Sequence, residues 1–154
     1  MIIYCDMDMV LCNFLKGALD VTGEPFPDKT GKLSKDEKKA IISSKKDFWD
    51  TLEWMPDGKK LWAHITKSGA DVRLLSAYAE WDSNCRRGKK VWVARNLKPK
   101  PNKIHLVRRE QKKDYANDDA LLIDDHDKNC KEFINAGGKA CLLYTSPSPR
   151  DNLP

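Results

Sequence analysis

Four short apolar runs, three of them delivering a polar residue at their end, limit what this chain can fold into more than any other feature. Residues 2–5 run into Asp6, residues 72–75 into Ser76, and residues 120–123 into Asp124; the fourth run is 104–107. A short, nearly continuous apolar run is how a strand buried on both faces reads. Stretches of helical character lie between the runs, at 84–95 and at 125–136, the latter closed by Gly137 and Gly138. Strands alternating with helices predict an α/β fold, a Rossmann-like parallel sheet flanked by helices. Ligands of such sheets gather at the carboxyl ends of the strands, where Asp6, Ser76 and Asp124 would stand.

The segment 15–68 breaks this rhythm. It holds no convincing strand, but it carries a capping box at Ser34 and Glu37, and Pro56-Asp57 ahead of a helix with Leu61, Trp62 and Ile65 on one face. Residues 23–27, GEPFP, read as a turn. The expected organisation is therefore a catalytic core made of 1–14 and 69–140, with a small helical cap, 15–68, inserted after the first strand. Residues 141–151 match, residue for residue, a translated reading frame of a transposase-based sequencing adapter. The stretch 141–154 is accordingly expected to be a non-native tail without function; otherwise it reads as a strand over 140–144 and a Ser/Pro-rich end.

A chain of 154 residues with 40% hydrophobic composition can bury one proper core, and its formal charge of +5 favours an anionic partner without choosing between metabolites and nucleic acid. Most lysines, including the pairs at 38–39, 45–46 and 59–60, read as a solvated face. Five cysteines with no C-x-x-C pair argue against a disulfide framework or a zinc site and for reduced thiols. The opening MIIYCDMDMV has neither the apolar length of a signal peptide nor that of a membrane span, so a soluble cytoplasmic protein is expected, with no membrane partner.

Two acidic pairs carry the chemistry. Asp6 and Asp8 follow the first run, and Asp124 and Asp125 end the last. Brought to one sheet edge, they would repel one another strongly unless a cation neutralised them. An oxygen-only ligand set suits Mg2+, whereas His64, His105 and His126 are too scattered for a transition-metal site. Of these only His126 lies beside the acids, as a candidate to orient them.

The motifs in order resemble those of haloacid dehalogenase (HAD) superfamily phosphatases: DMDMV at 6–10 the first, Leu74-Leu75-Ser76 the second, KKDYA at 112–116 the third, and LLIDDHDKN at 121–129 the fourth. The spacing from Asp6 to Ser76, and the ending IDDHDKN followed by Ala136-Gly137-Gly138, are similar to the 5'(3')-deoxyribonucleotidase branch and its phage relatives. The resemblance implies that Asp6 is a covalent nucleophile and Asp8 the acid and base. It implies that Ser76, Ala77 and Lys112 bind the phosphoryl group, and that Asp6, Asp8 (through its carbonyl), Asp124 and Asp125 hold Mg2+. It implies a nucleoside monophosphate as substrate; the alternatives are a 3'-phosphorylated nucleic-acid end or a silent binding module. Phe48, Trp49 and Trp54 would either stack on a base or form the core of the cap. Two features depart from the pattern: Met9 stands where the family usually has glycine, and Lys113 directly follows Lys112.

Overall fold

In a computed structural model of the chain, residues 1–27 and 31–144 are described. The strands are β1 (Ile2–Cys5), β2 (Asp71–Ala77), β3 (Ile104–Val107), β4 (Ala120–Asp124) and β5 (Lys139–Leu142). The helices are α1 (Phe14–Thr22), α2 (Lys35–Ser44), α3 (Gly58–Thr66), α4 (Cys85–Asn96) and α5 (Asp127–Asn135), with a 3-10 helix at Arg109–Tyr115. The strands form one five-stranded sheet in the order β3-β2-β1-β4-β5, and every neighbouring pair is parallel. The expected α/β architecture is the observed one.

Side chains alternate across the strands and build a core on each face. Ile3, Cys5, Leu74 and Ile123 join one buried cluster with Trp62 and Ile65 of α3 and Trp92 and Val93 of α4. Tyr4, Leu75 and Leu122 point the other way and pack with Phe133 of α5. Helices thus cover both faces, which is why the strands read as nearly continuous apolar runs. The chain turns to opposite sides of β1 on leaving it for β2 and, later, on reaching β4, so β1 marks the switch point of the sheet.

The segment between β1 and β2 holds α1, α2 and α3 and, among its described residues, no strand. The predicted capping box is present: Ser34 Oγ accepts from the Glu37 N–H at 3.1 Å, and Glu37 accepts from the Ser34 N–H at 3.0 Å. The unpredicted α1 starts at Asn13, whose side chain accepts from the Lys16 N–H, and stops at Gly23 in the left-handed region. The loop after β1 pairs with the stretch just ahead of α3: Asn13 N–H donates to Glu53 O and Met55 N–H to Leu11 O. β5 runs across the expected boundary at Ala140, with Cys141 and Leu142 registered against Ile123 and Asp124. The remainder of the expected tail, 145–154, lies outside the described residues.

The insert is packed tightly onto α4. Trp49 Nε1 donates to Asp82 and Trp92 Nε1 to Leu52 O, at 2.7 and 2.8 Å. A Cβ placed on Gly88 would come within 2.6 Å of Trp49 Cβ, closer than packed carbons tolerate. Gly88→Ala is therefore expected to destabilise the fold by about 1–3 kcal/mol, although alanine is the better helix former. Equilibrium urea unfolding checks this, and an unchanged or higher midpoint would contradict the close approach.

Candidate active site

The carboxyl ends of β1, β2 and β4 bring the predicted residues to one place. Asp6 follows β1 and donates its N–H to Ile123 O at 2.9 Å, continuing the ladder by one step. Asp124 ends β4 and is fully buried. The Lys112 ammonium lies between the two, 3.2 Å from Asp6 Oδ1 and 2.8 Å from Asp124 Oδ2. Lys112 is buried and Lys113 is exposed, so the 3-10 helix delivers the first lysine of the pair.

Each acid is held by further donors. Asp6 Oδ1 accepts from the Met7 N–H at 2.8 Å. Asp124 Oδ1 accepts from the His126 N–H at 2.9 Å and Oδ2 from Asn129 Nδ2 at 3.1 Å. His126 contributes its backbone there, while its side chain is exposed. Because Asp124 captures that N–H, α5 begins at Asp127 rather than at the predicted 125, and both acids remain at the strand end. Arg109 in turn donates to Asn129 Oδ1 at 2.9 Å and fixes the amide.

Oxygens of Asp6, Asp124 and Asp125 all lie within 4.8 Å of one another. Burial, and then repulsion from Asp124 and Asp8, push the Asp6 carboxyl up to about 8 despite the opposing Lys112. Burial and Asp124 likewise raise Asp125 to about 6. Lys112 is displaced upward as well: burial works against its charge, but Asp6 and Asp124 outweigh burial. Without a cation among them, the buried acids of the cluster thus resist full ionisation. Three hard oxygen donors in that state fit a small divalent cation.

A second group sits beside it. Residues after β1 fold into a tight turn in which the N–H groups of Val10, Leu11 and Cys12 all donate to Met7 O. Met9 lies in this turn with φ of 63°, the left-handed region that glycine adopts without cost. Met9 thus occupies a backbone region that favours glycine, the residue the resemblance leads one to expect there. The turn presents Asp8, whose Oδ2 is 3.0 Å from the ammonium of Lys89. Lys89 Nζ also donates to Ser76 Oγ at 2.7 Å and to Ala77 O at 2.9 Å. Asp8, Ser76 and Ala77 thus meet through a lysine that the sequence reading did not single out. A signal existed: on α4 Lys89 shares its face with the buried Cys85, Trp92 and Val93. Asn129 and Arg109 were also missed as site residues.

Phe48 and Trp49 are 3% and 2% exposed and belong to the buried cluster. The Trp49 ring stacks on Phe14 at 5.4 Å and lies 5.6 Å from Lys89 Nζ. Their packing role is the one displayed, with Trp49 at the edge of the site. Trp54 packs against Trp92, with ring centroids 4.9 Å apart.

No family model matches the chain, and no curated protein matches it in sequence. Solved structures do match it in fold. The L-2-haloacid dehalogenase of Xanthobacter autotrophicus superposes with a TM-score of 0.65 at 10% identity, over 97% of this chain and 79% of that one. The HAD-hydrolase YfnB of Bacillus subtilis, bound to magnesium, gives 0.57 at 12% identity over 96% and 88%. A HAD family enzyme of Bacteroides thetaiotaomicron, in complex with magnesium and inorganic phosphate, gives 0.54 at 14% identity over 99% and 98%. At such identities the likeness is one of architecture: this chain has the fold of the HAD-superfamily hydrolases.

Proposed function

We propose that the chain is a Mg2+-dependent phosphomonoester hydrolase acting through an aspartyl-phosphate, and that its substrates are nucleoside monophosphates, as for a 5'(3')-deoxyribonucleotidase. The observation that carries this reading is the acidic cluster of Asp6, Asp124 and Asp125 facing Lys112 at the switch point of the sheet. The Bacteroides enzyme of the same fold, crystallised with magnesium and inorganic phosphate, supports it. Asp6, Asp124 and Asp125, with the Asp8 carbonyl, would hold the ion. Bound there, Mg2+ would neutralise charge on the nucleophile and on the phosphoryl oxygens.

The residues divide the hydrolysis into two displacements. An Asp6 oxygen attacks phosphorus while the bond from phosphorus to the ester oxygen breaks, and that oxygen takes the proton of the Asp8 carboxyl and leaves as an alcohol. The Asp8 carboxylate then takes a proton from water as its oxygen attacks phosphorus, releasing inorganic phosphate and regenerating Asp6. Ser76 and Lys112 donate to phosphoryl oxygens, with the Ala77 segment beside them. Lys112 suits this role because Asp6 and Asp124 occupy two of its three N–H groups among the described residues. The insert, 15–68, would act as a cap over the cleft and exclude water from it. Free thiols at all five cysteines are in keeping with work in the cytoplasm.

A phosphate-release screen over mononucleotides, 3'-phosphorylated oligonucleotides and sugar phosphates, with Mg2+ and with EDTA, tests the reading. Release from mononucleotides that EDTA abolishes is expected. Preference for the oligonucleotides, falling steeply with salt, would move the substrate to nucleic-acid ends, in keeping with the formal charge of +5. No release from any ester would overturn the enzyme reading. Ser76→Ala should lower kcat/KM by about 10²–10³, the usual cost of one preorganised donor; a loss under tenfold would remove Ser76 from the site.

A further inference from the structure

We propose that Lys89 is a positioning residue for phosphoryl transfer: its ammonium ties the Asp8 carboxylate and the Ser76 hydroxyl into one fixed pair and leaves Asp8 Oδ1 as the free oxygen of the acid. The proposal rests on the phosphatase reading above and adds to it a residue on α4, a helix that carries none of the four motif segments.

The hydrogen-bond inventory supports it. An ammonium has three N–H groups and no acceptor. Lys89, 2% exposed, directs all three to protein oxygens: Asp8 Oδ2 at 3.0 Å, Ser76 Oγ at 2.7 Å and Ala77 O at 2.9 Å. None remains for a phosphate, which separates Lys89 from Lys112. Each acceptor is constrained in a useful sense. Ser76 Oγ, accepting from Lys89, keeps its own hydrogen to donate elsewhere. Asp8 Oδ2 is occupied, whereas Asp8 Oδ1 is covered and has no hydrogen-bond partner among the described residues. A buried carboxylate oxygen without a partner is costly, and such groups persist where function uses them. Lys89 is itself seated firmly. It follows Gly88, where a Cβ would come within 2.6 Å of Trp49 Cβ, and its helix is anchored by the fully buried Trp92.

A structural lysine and a positioning lysine differ in what their loss does to different leaving groups. In the first displacement, which kcat/KM reports because it ends when the leaving group departs, assistance by Asp8 matters for an alkoxide and little for a nitrophenolate, which departs without a proton; the later attack of water is common to both esters. Misfolding lowers both activities alike. The experiment compares wild type, Lys89→Met and Lys89→Gln on an alkyl phosphate monoester and on p-nitrophenyl phosphate, with Mg2+ present. Lys89→Met is expected to lose about 10²-fold in kcat/KM on the alkyl ester, the lower end of what general acid catalysis supplies, and under about tenfold on the aryl ester. Lys89→Gln, which keeps two donors, should show the same selectivity with a smaller loss. Equal losses on both esters in both variants, complete loss included, would overturn the proposal, as would an undiminished rate on the alkyl ester. A wild-type chain inactive on both esters would overturn the phosphatase reading, and the proposal with it.

Discussion

Asp6→Asn is expected to lower Mg2+-dependent phosphate release by about 10⁴-fold or more, the scale of losing a nucleophile, and at the same time to stabilise the metal-free protein above pH 8. The second effect follows from the charge held in the cluster. In the folded chain the Asp6 carboxyl is raised to about 8, against about 3.9 in an unfolded chain. Between those values the folded state binds the extra proton, so this group's contribution to stability is full below about pH 4 and is lost as the pH rises through 8. Asparagine cannot ionise and removes that loss. In EDTA the variant should melt at least ~2–4 °C above wild type at pH 8.5, the shift that ~1 kcal/mol brings in a chain of this size, and near wild type at pH 5. Mg2+ should close the gap by stabilising wild type alone. Scanning calorimetry at the two pH values checks this, and a variant that melts lower at pH 8.5 would contradict the excess of negative charge. Equal phosphate release by the two proteins would sink the covalent mechanism.

Lys112→Met should have the largest effect on stability. The ammonium is the cation that Asp6 and Asp124 share, and all three groups are buried. Removing one partner from a buried pair leaves uncompensated charge and costs about 3–5 kcal/mol. A loss of that size, read by urea unfolding in EDTA, is expected, with part of it recovered on adding Mg2+. Phosphate release should fall as well, because the same lysine donates to the phosphoryl group. Lys113→Met, at an exposed position, should stay within about 0.5 kcal/mol of wild type. Similar unfolding midpoints for the two variants would mean that Lys112 does not neutralise the acids.

The sheet was legible because its central strands are buried on both faces and carry nearly continuous apolar runs; β1 and β3 span the predicted residues. Asp6 and Asp124 were legible for the same reason, since each ends such a run. Ser76 stands inside β2, not after it, because pairing with β3 continues through Ser76 and Ala77. What escaped the sequence depends on tertiary neighbours. A lysine on a charged helix reads as solvent-facing until the face it shares with Trp92 is compared, so Lys89 stayed hidden. Arg109 and Asn129 meet only when the 3-10 helix packs beside α5. The direction of the Phe48 and Trp49 rings could not be read either, because periodicity separates helix faces but not the rings of a short irregular turn.

Two adjacent residues of α4 face different tasks. Gly88 sets how near the helix lies to Trp49, and Lys89 sets where Asp8 and Ser76 sit. The packing of the insert and the aim of the acid are therefore measured on one ruler. A side chain at 88 that pushes α4 outward carries the ammonium with it, and because the close approach is to the Trp49 Cβ, only glycine at 49 would bring it back. Selection acting on the chemistry would see positions 49 and 88 as a single trait, so in descendants of this sequence the two should change together or not at all.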